Sequence, residues 1–180
     1  IFDGKNMSCE YNCTGLDGVS PAVLYDNKTD KFYVWYVDIN EIAHRLMRCE
    51  SKDGIHFNNK TVMDATRLYK EPWHLDIVKN EHEHLYYILM TFAGVKDLYL
   101  ACAQDIDGDF VLFQREPIVY CSDICDDISN TSSTYRSTGA FNETTGDFNI
   151  WTSAQRDSTN MWHVVHTKAK HVRYKWIQYD

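Results

Sequence analysis

Asp76 closes the run Trp73-His74-Leu75-Asp76, which gathers an indole, an imidazole and a carboxylate within four residues. Carboxylates and imidazoles exchange hydrogen bonds with hydroxyl groups, and aromatic faces suit the C–H surfaces of sugar rings. Asp76 is therefore a candidate pocket carboxylate, with Trp73 and His74 as candidate substrate contacts. The competing reading is a structural Asp that accepts backbone N–H groups at the entrance of a sheet. Tyr135-Arg136-Ser137 form a second candidate cluster. Arg136 would hold a carboxylated sugar or pair with Asp76, and an ion pair between neighbouring sheets is its alternative. Ser20 either lines the same pocket or is only a turn residue ahead of Pro21.

Other chemistry-bearing patterns are weaker. His82 and His84 alternate in the stretch EHEH, but two His without further well-spaced ligands read as a solvated hairpin turn rather than zinc ligands. Cys9 with Cys13, and Cys121 with Cys125, form two Cys-x3-Cys pairs; local disulfides, a four-Cys zinc site and free thiols all remain open. DIDGD at 105–109 resembles part of a calcium loop, lacks the rest of that pattern, and reads as a turn. No metal and no cofactor is expected. Asn-x-Ser/Thr sequons stand at Asn6, Asn12, Asn27, Asn59, Asn130 and Asn142, more than the Ser and Thr content predicts. They are glycan acceptors in a eukaryotic secretory protein and carry no meaning in a phage or bacterial cytosolic one.

These residues must be positioned by strands. Aromatics make up 14% of the 180 residues, a composition suited to pleated, half-buried surfaces. Three units recur, opening with SPAVLYD, WHLDIVKN and YRSTGAFN, each followed by a polar turn and an aromatic-rich strand. Asp26, Asn80 and Asn142 fall at matching turn positions. Cys49 and Cys102 read as one third-strand position in the first two units, with His166 in the third, and as packing between sheets. The expected fold is all-β: propeller blades of four-stranded antiparallel sheets. Residues 1–18 read as an inter-blade connection or N-terminal extension, and 19–180 as three blades at roughly 19–70, 71–130 and 131–180. Three blades leave sheet faces open, so two further blades are expected on the N-terminal side, or a partner that covers the faces. The start at Ile1 fits a processed or trimmed chain with no readable targeting signal.

The segments WHLDIVKN…LYYILMTF, SKDGIHF and YRSTGAFN…DFNIWTS resemble the five-bladed propeller of glycoside hydrolase family 43. Similar blades occur in family 32 and in sugar-hydrolase-like modules, including some on phage tails. The resemblance covers roughly 17–177 and implies three carboxylates projecting from innermost strands into an axial pocket. They would act as general base, orienting group and general acid. Only Asp76 stands at such a place; Ala22 and Thr138 match it in the other units, and Glu143 lies in a nearby turn.

Net charge of −8 without clustered Lys and Arg argues against nucleic acid, and no apolar run is long enough for a membrane span. The expected partner is a glycan or oligosaccharide, with other chains of a larger assembly as a further partner. The resemblance implies a carbohydrate-active, glycosidase-type propeller; the alternative is a non-catalytic glycan-binding or structural module. The expected setting is extracellular or on a particle surface.

Overall fold

The computed structural model describes residues 18–39, 43–124, 133–142, 144–156 and 161–169. The first sheet comprises β1 (Val19–Asp26), β2 (Lys31–Ile39), β3 (His44–Ser51) and β4 (Asn58–Val62). The second comprises β5 (Pro72–Asn80), β6 (Leu85–Phe92), β7 (Tyr99–Ala103) and β8 (Val111–Leu112). A single helical turn, α1 (Cys121–Ile124), precedes the third, formed by β9 (Ser133–Asn142), β10 (Asp147–Arg156) and β11 (Met161–Ala169). Every sheet is an antiparallel meander in chain order. The all-β, blade-like class expected from the sequence is the one observed.

Turn chemistry sets the first hairpin of each blade. Asp26 pairs with Lys31, Asn80 with Leu85 and Asn142 with Asp147. Each side chain then accepts from backbone N–H groups of its own turn. Thr29 N donates to Asp26 at 3.2 Å, and His82 N and Glu83 N both donate to Asn80 at 3.1 Å. Thr144 N and Thr145 N donate to Asn142 at 3.0 and 3.1 Å. Asn and Asp favour turns because their side chains can satisfy the backbone in this way. EHEH is accordingly the β5–β6 turn, and DIDGD belongs to the connection between β7 and β8.

Strand alternation sorts side chains between two sides of each blade. Tyr33, Trp35 and Val37 of β2 meet Ile77, Ile88 and Met90 of the second sheet in one buried cluster. Tyr87 and Leu89, on the opposite side of β6, pack with Phe148 and Ile150 of the third sheet. β5 is thereby held between β1 and β9, and these three first strands lie side by side.

The same alternation corrects the reading of the two cysteines. Cys49 lies opposite Val34, eight residues beyond Asp26, whereas Cys102 lies opposite Tyr87, seven residues beyond Asn80. A one-residue offset sends side chains to opposite faces. Cys102 packs between the second and third sheets, while Cys49 packs with Val34, Tyr36, Met47 and Phe57 on the side of the first sheet turned away from the second. Both are buried thiols. His166 lies opposite Trp151 on an exposed face. Cys9, Cys13 and Cys125 lie outside the described residues, as do Asn6, Asn12, Asn130 and Glu143.

Candidate functional site

Each innermost strand carries an irregularity near its start. The register shifts between Val19 and Ala22 in β1, and between Pro72 and His74 in β5. The third shift falls where Ser137 and Thr134 of β9 face Thr152 and Ala154. A bulge inserts an unpaired residue and re-aims side chains, a device common beside active sites. Here the three bulges contain or adjoin Ser20, Trp73, His74, Tyr135 and Arg136. The candidate residues from three separate stretches of sequence thus meet at one end of the adjoining inner strands.

His74 is the centre of the group. Its Nδ1 shares a short hydrogen bond with Ser20 Oγ, and both residues are buried. Ser20 adopts a left-handed backbone with φ of 54°, uncommon for a residue with a side chain. It is part of β1 and its bulge, not a turn preceding Pro21. The His74 ring meets Tyr135 edge-on at 4.1 Å between centroids and Trp73 at 5.3 Å. Trp73 stacks on His44 at 5.0 Å, and Tyr135 leans on Trp162 at 5.5 Å. His44 and Trp162 carried no sequence signal marking them for this site; both arrive through strand register.

His74 Nε2 is buried without a hydrogen-bond partner. Burial, aided by the charge of Arg136, holds the His74 pKa down to about 4. Because its unfolded value is near 6.5, the unfolded chain binds more protons than the folded one between these limits. The stability from the neutral ring is present above about pH 6.5 and is lost as pH falls toward 4. The loss is of the order of a few kcal/mol. Urea unfolding across this range should show the drop in the native protein and a flatter profile in His74→Gln; equal slopes would contradict the assignment.

Asp76 sits two residues further along β5, on the same side as His74. Its Oδ2 accepts from Thr138 Oγ1 at 2.7 Å and from Gly139 N at 3.4 Å, which ties it to β9. Burial raises the Asp76 pKa against the opposing pull of Thr138, Gly139 and the Ile77 amide. Arg136 does not pair with Asp76; it is exposed, with its guanidinium 6.0 Å from the Tyr135 ring centroid. Ser137 turns to the other face of β9 and donates to Thr152 Oγ1 at 3.1 Å. Ala22, Asp76 and Thr138 each stand four residues before the hairpin-closing residue, opposite Trp35, Leu89 and Trp151. Thr138 stands at the place in β9 that matches Asp76 in β5 and serves Asp76 as a donor. Among the described residues, no three His, Cys, Asp or Glu side chains are arranged to hold a metal ion. No helix among them is long and apolar enough to cross a membrane.

No protein-family profile matches the chain, and no curated protein matches it. Solved structures do match its fold. An N-acetylgalactosamine deacetylase from F. plautii, in complex with blood group B trisaccharide, superposes with a TM-score of 0.70 at 18% identity, covering 86% of this chain and 50% of its own. A family 43 α-L-arabinofuranosidase from Clostridium thermocellum gives 0.57 at 10% identity, covering 88% of this chain and 58% of its own. A family 62 hydrolase in complex with xylotriose gives 0.59 at 11% identity, covering 89% and 49%. The fold is that of the glycoside-hydrolase β-propellers, as the sequence resemblance implied. The chain spans about half the length of these structures.

Proposed function

We propose that the chain is an oligosaccharide-binding portion of a carbohydrate-active propeller, with the glycan at the bulged ends of β1, β5 and β9. The observation that carries this reading is the convergence there of Asp76, partly desolvated and fixed by Thr138, with exposed Tyr135 and the Trp73 ring. Asp76 would accept from sugar hydroxyls, and the aromatic rings would pack on C–H faces. His74 Nε2, close to Tyr135, would gain a hydroxyl partner when that ring shifts. Ligand-bound relatives in fold support a sugar as the occupant.

Hydrolysis is the second reading. It needs a protonated acid together with a second carboxylate, and Ala22 and Thr138 supply neither. The second group would have to come from outside the described residues. Calorimetric titration with xylotriose and with blood group B trisaccharide tests the binding proposal. At least one should bind, and Asp76→Asn should weaken it by about tenfold or more. Unaltered binding in the variant, or no binding of either sugar, would overturn it. Release of monosaccharide that Asp76→Asn abolishes would establish the hydrolytic reading.

A further inference from the structure

We propose that Asn27 and Asn142 carry N-linked glycans, and that the chain therefore passes through a compartment that transfers them. Six of the eleven Asn residues stand in sequons, although Ser and Thr form only about one residue in eight; shuffling this composition would give one or two. Turns favour Asn and Thr, but that preference does not explain which turns carry the motif. The β5–β6 turn closes on Asn80, which is buried and lies outside any sequon. The equivalent β9–β10 turn closes on exposed Asn142, within Asn-Glu-Thr. In the β1–β2 turn the closing residue is buried Asp26, and the sequon begins on the exposed residue after it, Asn27. The motif follows accessibility rather than turn position.

Asn142 is oriented as an acceptor would need to be in the folded protein. Its Oδ1 is taken by the Thr144 and Thr145 amides, leaving the Nδ2 side of the amide for substitution. Asn59, the third sequon among the described residues, differs. Its Nδ2 donates to Glu50 Oε1 at 2.6 Å, and Glu50 is also paired with Lys31 at 3.0 Å. A sugar on that nitrogen would stand against this pair, so the assignment is confined to Asn27 and Asn142.

Both turns lie at the far end of the inner strands from His74. The six residues from His74 to Asn80 place the two ends of β5 about 20 Å apart. Glycans at Asn27 and Asn142 would crowd one end of the blades and leave the opposite end, with Trp73 and Tyr135, open. The chemistry requires a lipid pyrophosphate-linked oligosaccharide as donor. The sugar C1–O bond breaks as C1–Nδ2 forms, the amide gives up one proton, and the pyrophosphate leaves with the bonding electron pair.

The protein purified from the cells that make it should be digested with peptide N-glycosidase in heavy-oxygen water and its peptides weighed. Asn27 and Asn142 should appear as heavy-oxygen-labelled Asp, and Asn59 as unmodified Asn. Recovery of Asn27 and Asn142 as unmodified Asn would overturn the proposal. Label at Asn59 would overturn the exclusion drawn from its hydrogen bond to Glu50. This result is independent of whether Asp76 binds sugar.

Discussion

Gly139→Val should destabilise the chain by about 3 kcal/mol or more, the upper part of the range for overpacking a well-filled interior. Gly139 pairs with Ile150 in the third sheet and faces the second. A Cβ at this position would come within 2.6 Å of Phe148 Cε2 and 2.9 Å of Leu89 Cδ1. Neither ring nor methyl has room to give, because Phe148 is fully buried and Leu89 almost so. The requirement is for space, since Gly139 is not among the residues with positive φ. Relief would push β9 away from β6 and carry Thr138 off Asp76. Chemical denaturation would measure the loss, and a midpoint equal to that of the native protein would show that the blades are not packed this closely.

Trp35→Ala should be comparably damaging, at about 3–5 kcal/mol. Trp35 has no exposed surface and fills the space between the first two sheets, edge-on to Phe110 with 6.5 Å between centroids. Its indole N–H is buried without a partner. Trp35→Phe should cost clearly less than Trp35→Ala, because both remove the unmet donor but Phe keeps most of the ring volume that Ala vacates. Trp151 stands at the matching place in the third sheet but is 39% exposed. Trp151→Ala should cost clearly less than Trp35→Ala, because a large part of that ring already faces water. Equal losses at Trp35 and Trp151 would contradict the contrast between a packed blade interface and an open one.

The strands, their order and the hairpin turns were legible because each rests on local chemistry. Asp26, Asn80 and Asn142 satisfy their own turns, and alternation marks which neighbours share a face. What failed was anything that depends on counting across a blade. Cys49 and Cys102 looked equivalent by local similarity, yet one residue of offset put them on opposite sides. The bulges were likewise invisible, since no residue pattern in the three first strands marks where the register shifts. Ser20 was consequently read as turn-like beside Pro21, although it is a buried strand residue bonded to His74. Asp76, His74 and Trp73 stood out as candidates because a carboxylate, an imidazole and an indole are adjacent in the chain. The role of Thr138 could not, because in sequence it looked only like the absence of an acid.

The proposed sugar site lies at the bulged ends of β1, β5 and β9, around Asp76. Titrating the isotopically labelled protein with xylotriose or blood group B trisaccharide, while following its amide resonances, tests this most directly. Shifts should concentrate at Trp73, His74, Ile77 and Tyr135 to Gly139, and should be strongly reduced in Asp76→Asn. Shifts concentrated instead at the hairpin turns of Asn27, Glu81 and Thr144 would place the sugar at the wrong end of the blades and contradict the account.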